Sequence, residues 1–135
     1  MNRDPLQQDM LSAAELADSL RNAKGIGYSV ERYIEAFGLS LDEFTAQLTN
    51  YRRTQLELGT ATTSEVEAAQ IFITASLCVV TTVIESGVTT GQAITWFRKE
   101  PLLNFERRTA EQLVGQGQVD QLLQFLGSWQ AGSQG

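Results

Sequence analysis

Two short stretches carry residue types that could do chemistry. The first is Trp96-Phe97-Arg98-Lys99-Glu100-Pro101, continued by Phe105-Glu106-Arg107-Arg108. Large apolar side chains ringed by guanidinium groups are what the core and rim of a protein interface look like. Taken singly, each aromatic is also an ordinary core residue. The second stretch is Asn50-Tyr51-Arg52-Arg53 with Gln55. Paired arginines suit phosphate or guanine, and Asn or Gln suits adenine, so this stretch has the chemistry of a nucleic-acid contact. Catalytic chemistry is thin by comparison. The chain has no histidine and one cysteine, Cys78. That removes Ser–His and Cys–His dyads, histidine metal ligands and zinc-binding cysteine clusters. Glu100 and Glu106 flank a loop, but a pair of solvated acids is the plain reading. We therefore expect a non-enzyme with no catalytic residues, no metal and no cofactor.

Charge sets a further bound. The net charge of the 135-residue chain is −6. Before Gly59 there are six basic against nine acidic residues, and after it four against seven, so each half carries −3. A broad basic footprint for DNA or RNA is absent, although a local basic patch remains possible. Cys78 lies in the apolar run FITASLCVVTTVI and reads as a small buried hydrophobe. With one cysteine and no secretory signal at the start of the sequence, the expected location is the cytoplasm. The uncharged run from Ala68 to Ile84 is short against the roughly 20 residues of a membrane span, and neither flank carries Lys or Arg. It is expected to be a central helix, or one covered by a second copy of the chain, so a homodimer is expected and a membrane span is not.

The elements that must position these groups are marked by helix-start signals. Ser or Thr followed three residues later by Glu or Gln forms a capping box, in which each side chain satisfies a backbone N–H that the helix leaves orphaned. The pattern occurs at Ser12/Glu15, Ser40/Glu43, Ser64/Glu67, Thr89/Gln92 and Thr109/Gln112. Each opens an apolar-periodic segment, which predicts an all-α chain. The expected helices are AAELADSLRNAKG, ending at Gly25, VERYIEAFG, ending at Gly38, two short helices LDEFTAQL and YRRTQLELG, a long helix from about Glu65 to Ser86, TGQAITWFRK up to Pro101, and AEQLV and QVDQLLQFL, broken at Gly115-Gln116-Gly117 and closed by Gly127. PLLNFERR reads as a loop and QAGSQG as a mobile polar tail. The β-branched run inside the long helix would suit a strand, but it is too long for one and lacks turn residues.

SLDEFTAQLTNYRRTQLEL reads either as a helix-turn-helix or as an ordinary helical hairpin. In the first case the second helix would present Asn50, Tyr51, Arg52, Arg53 and Gln55 to a major groove. The expected turn lacks glycine, and from Leu41 to Gly59 two arginines face Asp42, Glu43 and Glu57, a net −1. On residues alone the hairpin is favoured.

The last forty residues resemble the C-terminal toxin-binding domain of Xre/MbcA/ParS-type antitoxins. The pattern is carried by Trp96, Phe97, Arg98, Pro101, Phe105, Thr109, Ala110, Leu113, Val114, Gly117, Val119, Leu122, Leu126 and Gly132. The resemblance implies a RES-domain toxin as partner, an enzyme that consumes NAD⁺ or transfers its ADP-ribose. It also implies a degenerate Xre-like helix-turn-helix upstream that binds operator DNA, a long dimerisation helix, and a small helical module that occludes the toxin's active site. The implied division is 1–28 as an N-terminal helical extension, 29–87 as helix-turn-helix-like and dimerisation region, and 88–135 as toxin-binding domain. The implied toxin contacts are Trp96, Phe97, Arg98, Pro101, Phe105, Arg107, Arg108, Thr109 and Gly117, with Trp96 packed inward beneath the last helix and Phe97, Pro101 and Phe105 turned to the partner. One departure stands out. Family members carry paired glycines after the large apolar residue, where this chain has Glu106 and Arg107, so a tight turn there would have to be built differently. The alternative function is an orphan DNA-binding transcriptional regulator with no toxin.

Overall fold

The computed structural model describes residues 11–24, 26–59 and 64–134. Among these it contains seven α-helices and no strand: α1 (Ala13–Ser19), α2 (Val30–Phe37), α3 (Leu41–Glu57), α4 (Glu65–Glu85), α5 (Thr90–Lys99), α6 (Ala110–Gly115) and α7 (Val119–Gln134), with one 3₁₀ turn, Leu103–Phe105, between α5 and α6.

The caps act as the sequence predicts. Ser12, Ser40, Thr89 and Thr109 each accept from the backbone three residues on, and the acid or amide there accepts from the cap backbone in return. Ser64 makes the first half of this exchange with Glu67. Ser29 caps α2 through Arg32 N–H, a start without an acid at the third position. At the other end of α2, Gly38 takes φ +70°, the left-handed conformation that closes a helix with least strain in glycine. Glu100 turns extended ahead of Pro101 and ends α5.

α4 is the axis of the packing. It touches α1, α2, α3, α5, α6 and α7. Phe72, Ile73, Val79 and Val80 on it are fully buried. Around them sits a set of aromatics: Tyr33 stacks on Phe37 at 4.4 Å, and Phe44, Tyr51 and Tyr33 all meet Phe72 edge-on at 5.8–6.5 Å. One cluster of buried residues runs from Leu16 to Leu126. By length and composition α4 could cross a membrane; in this fold half of its most apolar stretch is buried by the other helices.

Three boundaries differ from expectation. α1 stops at Ser19, because Arg21 and Tyr28 pair as a β-bridge and the Asn22 amide oxygen accepts from Lys24 N–H and Ile26 N–H. The expected stop at Gly25 lies outside the described residues. The two short helices expected between Leu41 and Gly59 are one helix of 17 residues. Thr49 and Asn50 contain neither glycine nor proline, and the Thr54 hydroxyl donates to Asn50 O, 3.0 Å, across the expected break. α7 does not close at Gly127 but continues to Gln134, so the polar tail expected to be mobile is helical over most of its length. A glycine inside a helix costs about 1 kcal/mol, which does not stop a helix already docked on a core.

Candidate functional site

The helix–loop–helix from α5 to α7 positions the first chemical stretch. In α5, Ala93, Ile94 and Phe97 face the core, and Phe97 meets Phe37 edge-on at 5.7 Å. Trp96 lies one residue away and is half-buried. It lines a cleft of about 550 Å³ between α5, the following loop and α7. Val83, Leu102 and Leu126 form the floor. Trp96, Pro101, Leu103 and Phe125 form the walls, and Val88, Gln92 and Glu100 the rim. Leu103 is 78% exposed and stands beside the other apolar residues of the cleft. Phe105 meets Phe125 edge-on at 5.6 Å behind the wall.

The loop closes on itself. Leu102 N–H donates to Arg108 O at 3.0 Å and Arg107 N–H donates to Leu102 O at 2.8 Å. This tight return needs a left-handed backbone at two successive positions, and Glu106 (φ 58°) and Arg107 (φ 65°) supply it. Both are exposed. Each non-glycine residue held there costs about 1–2 kcal/mol. Arg107 points from the loop into solvent. Arg108 pairs with Glu106 at 3.2 Å and donates to Gln116 and Gln118.

Several expected contacts are corrected by this geometry. Phe97 is fully buried and Trp96 is the one on the cleft, the reverse of their expected roles, although Trp96 does face α7. Ala93, Ile94 and Phe97 hold the core-facing arc of α5, and Trp96, 100° around the helix from Phe97, falls outside it. Arg98 is not a rim cation. Its side chain is 18% exposed and donates to Glu111 (3.2 Å), Glu43 (3.2 Å), Phe37 O (3.2 Å) and Gly38 O (3.0 Å). It thus caps the C-terminus of α2, where a cation is favoured, and ties α2, α3, α5 and α6 together. Burial pushes the Glu111 carboxyl above its ordinary range, opposed by Arg98, while the Ser40 backbone N–H, the nearby Arg98 and the Ser40 hydroxyl hold Glu43 below its own. Thr109 is engaged as the cap of α6. Gly117 takes φ +75°, and a Cβ there would lie 3.2 Å from Gln55 Nε2 of α3, so Gly117 serves helix packing. The structure therefore brings Trp96 and Pro101 to one cleft, with Phe105 behind its wall and Arg107 and Arg108 on its loop, and withdraws Phe97 and Arg98 from it. Leu102, Leu103 and Phe125 join the cleft without having stood out in the sequence; the apolar pair directly after Pro101 was the available signal.

The second stretch does not converge. Asn50, Arg52 and Arg53 are exposed, Gln55 lies against Gly117, and Tyr51 turns inward to Phe72, where burial raises its phenol pKa. Successive residues of α3 point in directions 100° apart, so these five encircle the helix instead of sharing a face. Arg53 donates to Asn50 Oδ1. Among the described residues no group of three or more Cys, Asp or Glu that could hold a metal ion comes together.

Comparison with family models, with curated proteins and with solved structures found no match. What the cleft does is therefore argued from its chemistry.

Proposed function

We propose that the chain is a non-enzymatic binding protein, the antitoxin of a toxin–antitoxin pair, which docks through the cleft between α5, the 101–108 loop and α7 and occludes the active site of a RES-type, NAD-consuming toxin. The observation that carries this reading is the cleft itself: a concave apolar site of about 550 Å³ with Trp96 and an exposed Leu103 on its walls. Binding hot spots are enriched in tryptophan, and Trp96 is partly exposed in an apolar recess. The left-handed pair at Glu106 and Arg107 supports the resemblance from a second side, because it gives the loop the backbone that paired glycines would give. Strain of this kind persists where a loop must present a particular shape. The acidic chain also suits a partner whose nucleotide pocket is basic, since opposite charge speeds encounter.

The test is co-expression with the product of the adjacent reading frame. That product should arrest growth alone and be neutralised by this chain, and Trp96→Ala should lose neutralisation while keeping its helical content. An adjacent product that is harmless alone rules the antitoxin reading out.

A second reading, a DNA-binding regulator, has one observation in its favour. α2 and α3 are joined by Gly38-Leu39-Ser40, a three-residue turn with glycine, as in helix-turn-helix pairs. Against it, the first turn of α3 carries Asp42 and Glu43. Binding of the chain to its own promoter at low salt, abolished by Arg52→Ala with Arg53→Ala, would favour this reading. No binding at low salt ends it.

A further inference from the structure

We infer that the cleft between α5, the 101–108 loop and α7 takes an apolar segment of the partner protein that carries an arginine, and that Trp96 and Glu100 hold its guanidinium. This inference rests on the reading of the cleft as a protein-docking site and names what enters it. Gln92, Trp96 and Glu100 follow at steps of four, so they form one stripe of α5 along the cleft. Trp96 is half-buried and also lines a neighbouring shallow depression, so part of its ring is open to a ligand. Gln92 Oε1 is already taken by the Thr89 N–H at 3.0 Å. Glu100 is exposed and is the only charged residue that lines the cleft. Among the described residues no cation pairs with it. Lys99 lines the neighbouring depression and not the cleft, and Arg107 and Arg108 line neither.

Three features at the end of this stripe favour a positive charge. Glu100 supplies a carboxylate. The Trp96 indole attracts a cation set over its face. The C-terminus of α5, at Lys99, presents the negative end of the helix dipole. An anion is repelled by all three, and a purely apolar segment would strip water from the Glu100 carboxylate and give it no partner. Arginine fits better than lysine. Its planar guanidinium stacks on an indole and offers N–H groups to a carboxylate at once, whereas an ammonium is a compact, strongly hydrated point charge. Its stem lies along apolar surface while its head stays at the water's edge, which matches a rim carboxylate above an apolar floor. The apolar side chains of the segment then meet the floor of Val83, Leu102 and Leu126 and the wall of Leu103 and Phe125. The net charge of −6 speeds the approach of a segment so charged.

The experiment titrates the full chain at low salt with blocked Leu-Leu-X tripeptides that carry Arg, Lys, Gln or Glu at X. Binding is read from the backbone N–H resonances of Leu102 and Leu103 in the cleft. We expect the Arg peptide to bind about tenfold tighter than the Gln peptide, with the Lys peptide between them and the Glu peptide weakest. Glu100→Gln, at an exposed site, should leave the melting temperature and the affinity for the Gln peptide unchanged. It should cut the preference for Arg over Gln to about a third or less. Trp96→Leu should remove the advantage of Arg over Lys and keep that of Lys over Glu. The peptides test the cleft without the toxin. Absent selectivity beside intact neutralisation of the adjacent product sinks this inference alone, and selectivity beside a harmless adjacent product sinks the antitoxin reading alone. Equal affinity for the four peptides, a preference for Glu, no shift in any titration, or an Arg preference unchanged by Glu100→Gln would each overturn the inference.

Discussion

Arg98 shows how one side chain can be misread from its neighbours. Flanked by Phe97 and Lys99 it has the look of an interface cation, yet the nearest unsatisfied groups are inside the chain: the last carbonyls of α2 and the buried carboxylate of Glu111. That requirement comes from elements some sixty residues away and leaves no local mark. Arg98→Ala should cost about 2–3 kcal/mol in urea unfolding, since Glu111 would be left buried and unpaired. Arg98→Lys should recover less than half, because an ammonium cannot span four acceptors. The two acids give stability a pH signature. Glu111 has a raised carboxyl, so the folded chain binds its proton before the unfolded chain does, and stability rises as pH falls through that raised value. Glu43 has a lowered one, so stability falls again as acid reaches its folded value, below the ordinary carboxylate range. A melting-temperature profile should peak between the two, and Glu111→Gln should remove the rise. At the loop, Glu106→Gly with Arg107→Gly relieves left-handed strain, partly offset by greater freedom of the unfolded chain. The double variant should gain about 1 kcal/mol, and a loss would mean the loop is not strained.

At the scale of elements, what was legible was what is local. Helix starts were readable because a capping box lies within four residues, and α5 ended where Pro101 demanded. The continuity of α3 was not readable, because Thr49 and Asn50 permit a turn without requiring one, and the outcome is decided by Phe44, Leu48 and Tyr51 docking on one side of a single rod. That continuity predicts slow amide exchange from Leu48 to Thr54 as one block. Fast exchange confined to Asn50–Arg52 would restore the two-helix reading. The cleft was half legible. Pro101 lines it and Phe105 stands behind its wall, but the choice between Trp96 and Phe97 hung on the phase of α5 about its axis. That phase is fixed by Ala93 and Ile94, which share Phe97's face.

Across the whole molecule, α4 gathers helices from both sides of the sequence into one core. Its central place was legible from the uncharged run alone; which of its faces would be covered was not, since that depends on six other helices. A single core predicts a single unfolding transition, seen alike by helical signal and tryptophan fluorescence. Phe72→Ala should lower stability by about 3–5 kcal/mol for the entire chain. Two separable transitions would show that the halves fold independently. The proposal that depends most on the architecture is that α5, the 101–108 loop and α7 converge on a cleft built for another protein. The most direct measurement is the affinity of Leu103→Asp for the product of the adjacent reading frame, by titration calorimetry. A carboxylate on that exposed wall should weaken binding by about a hundredfold or more, because docking would bury an unpaired charge, with folding intact. Wild-type affinity in the variant would contradict the account.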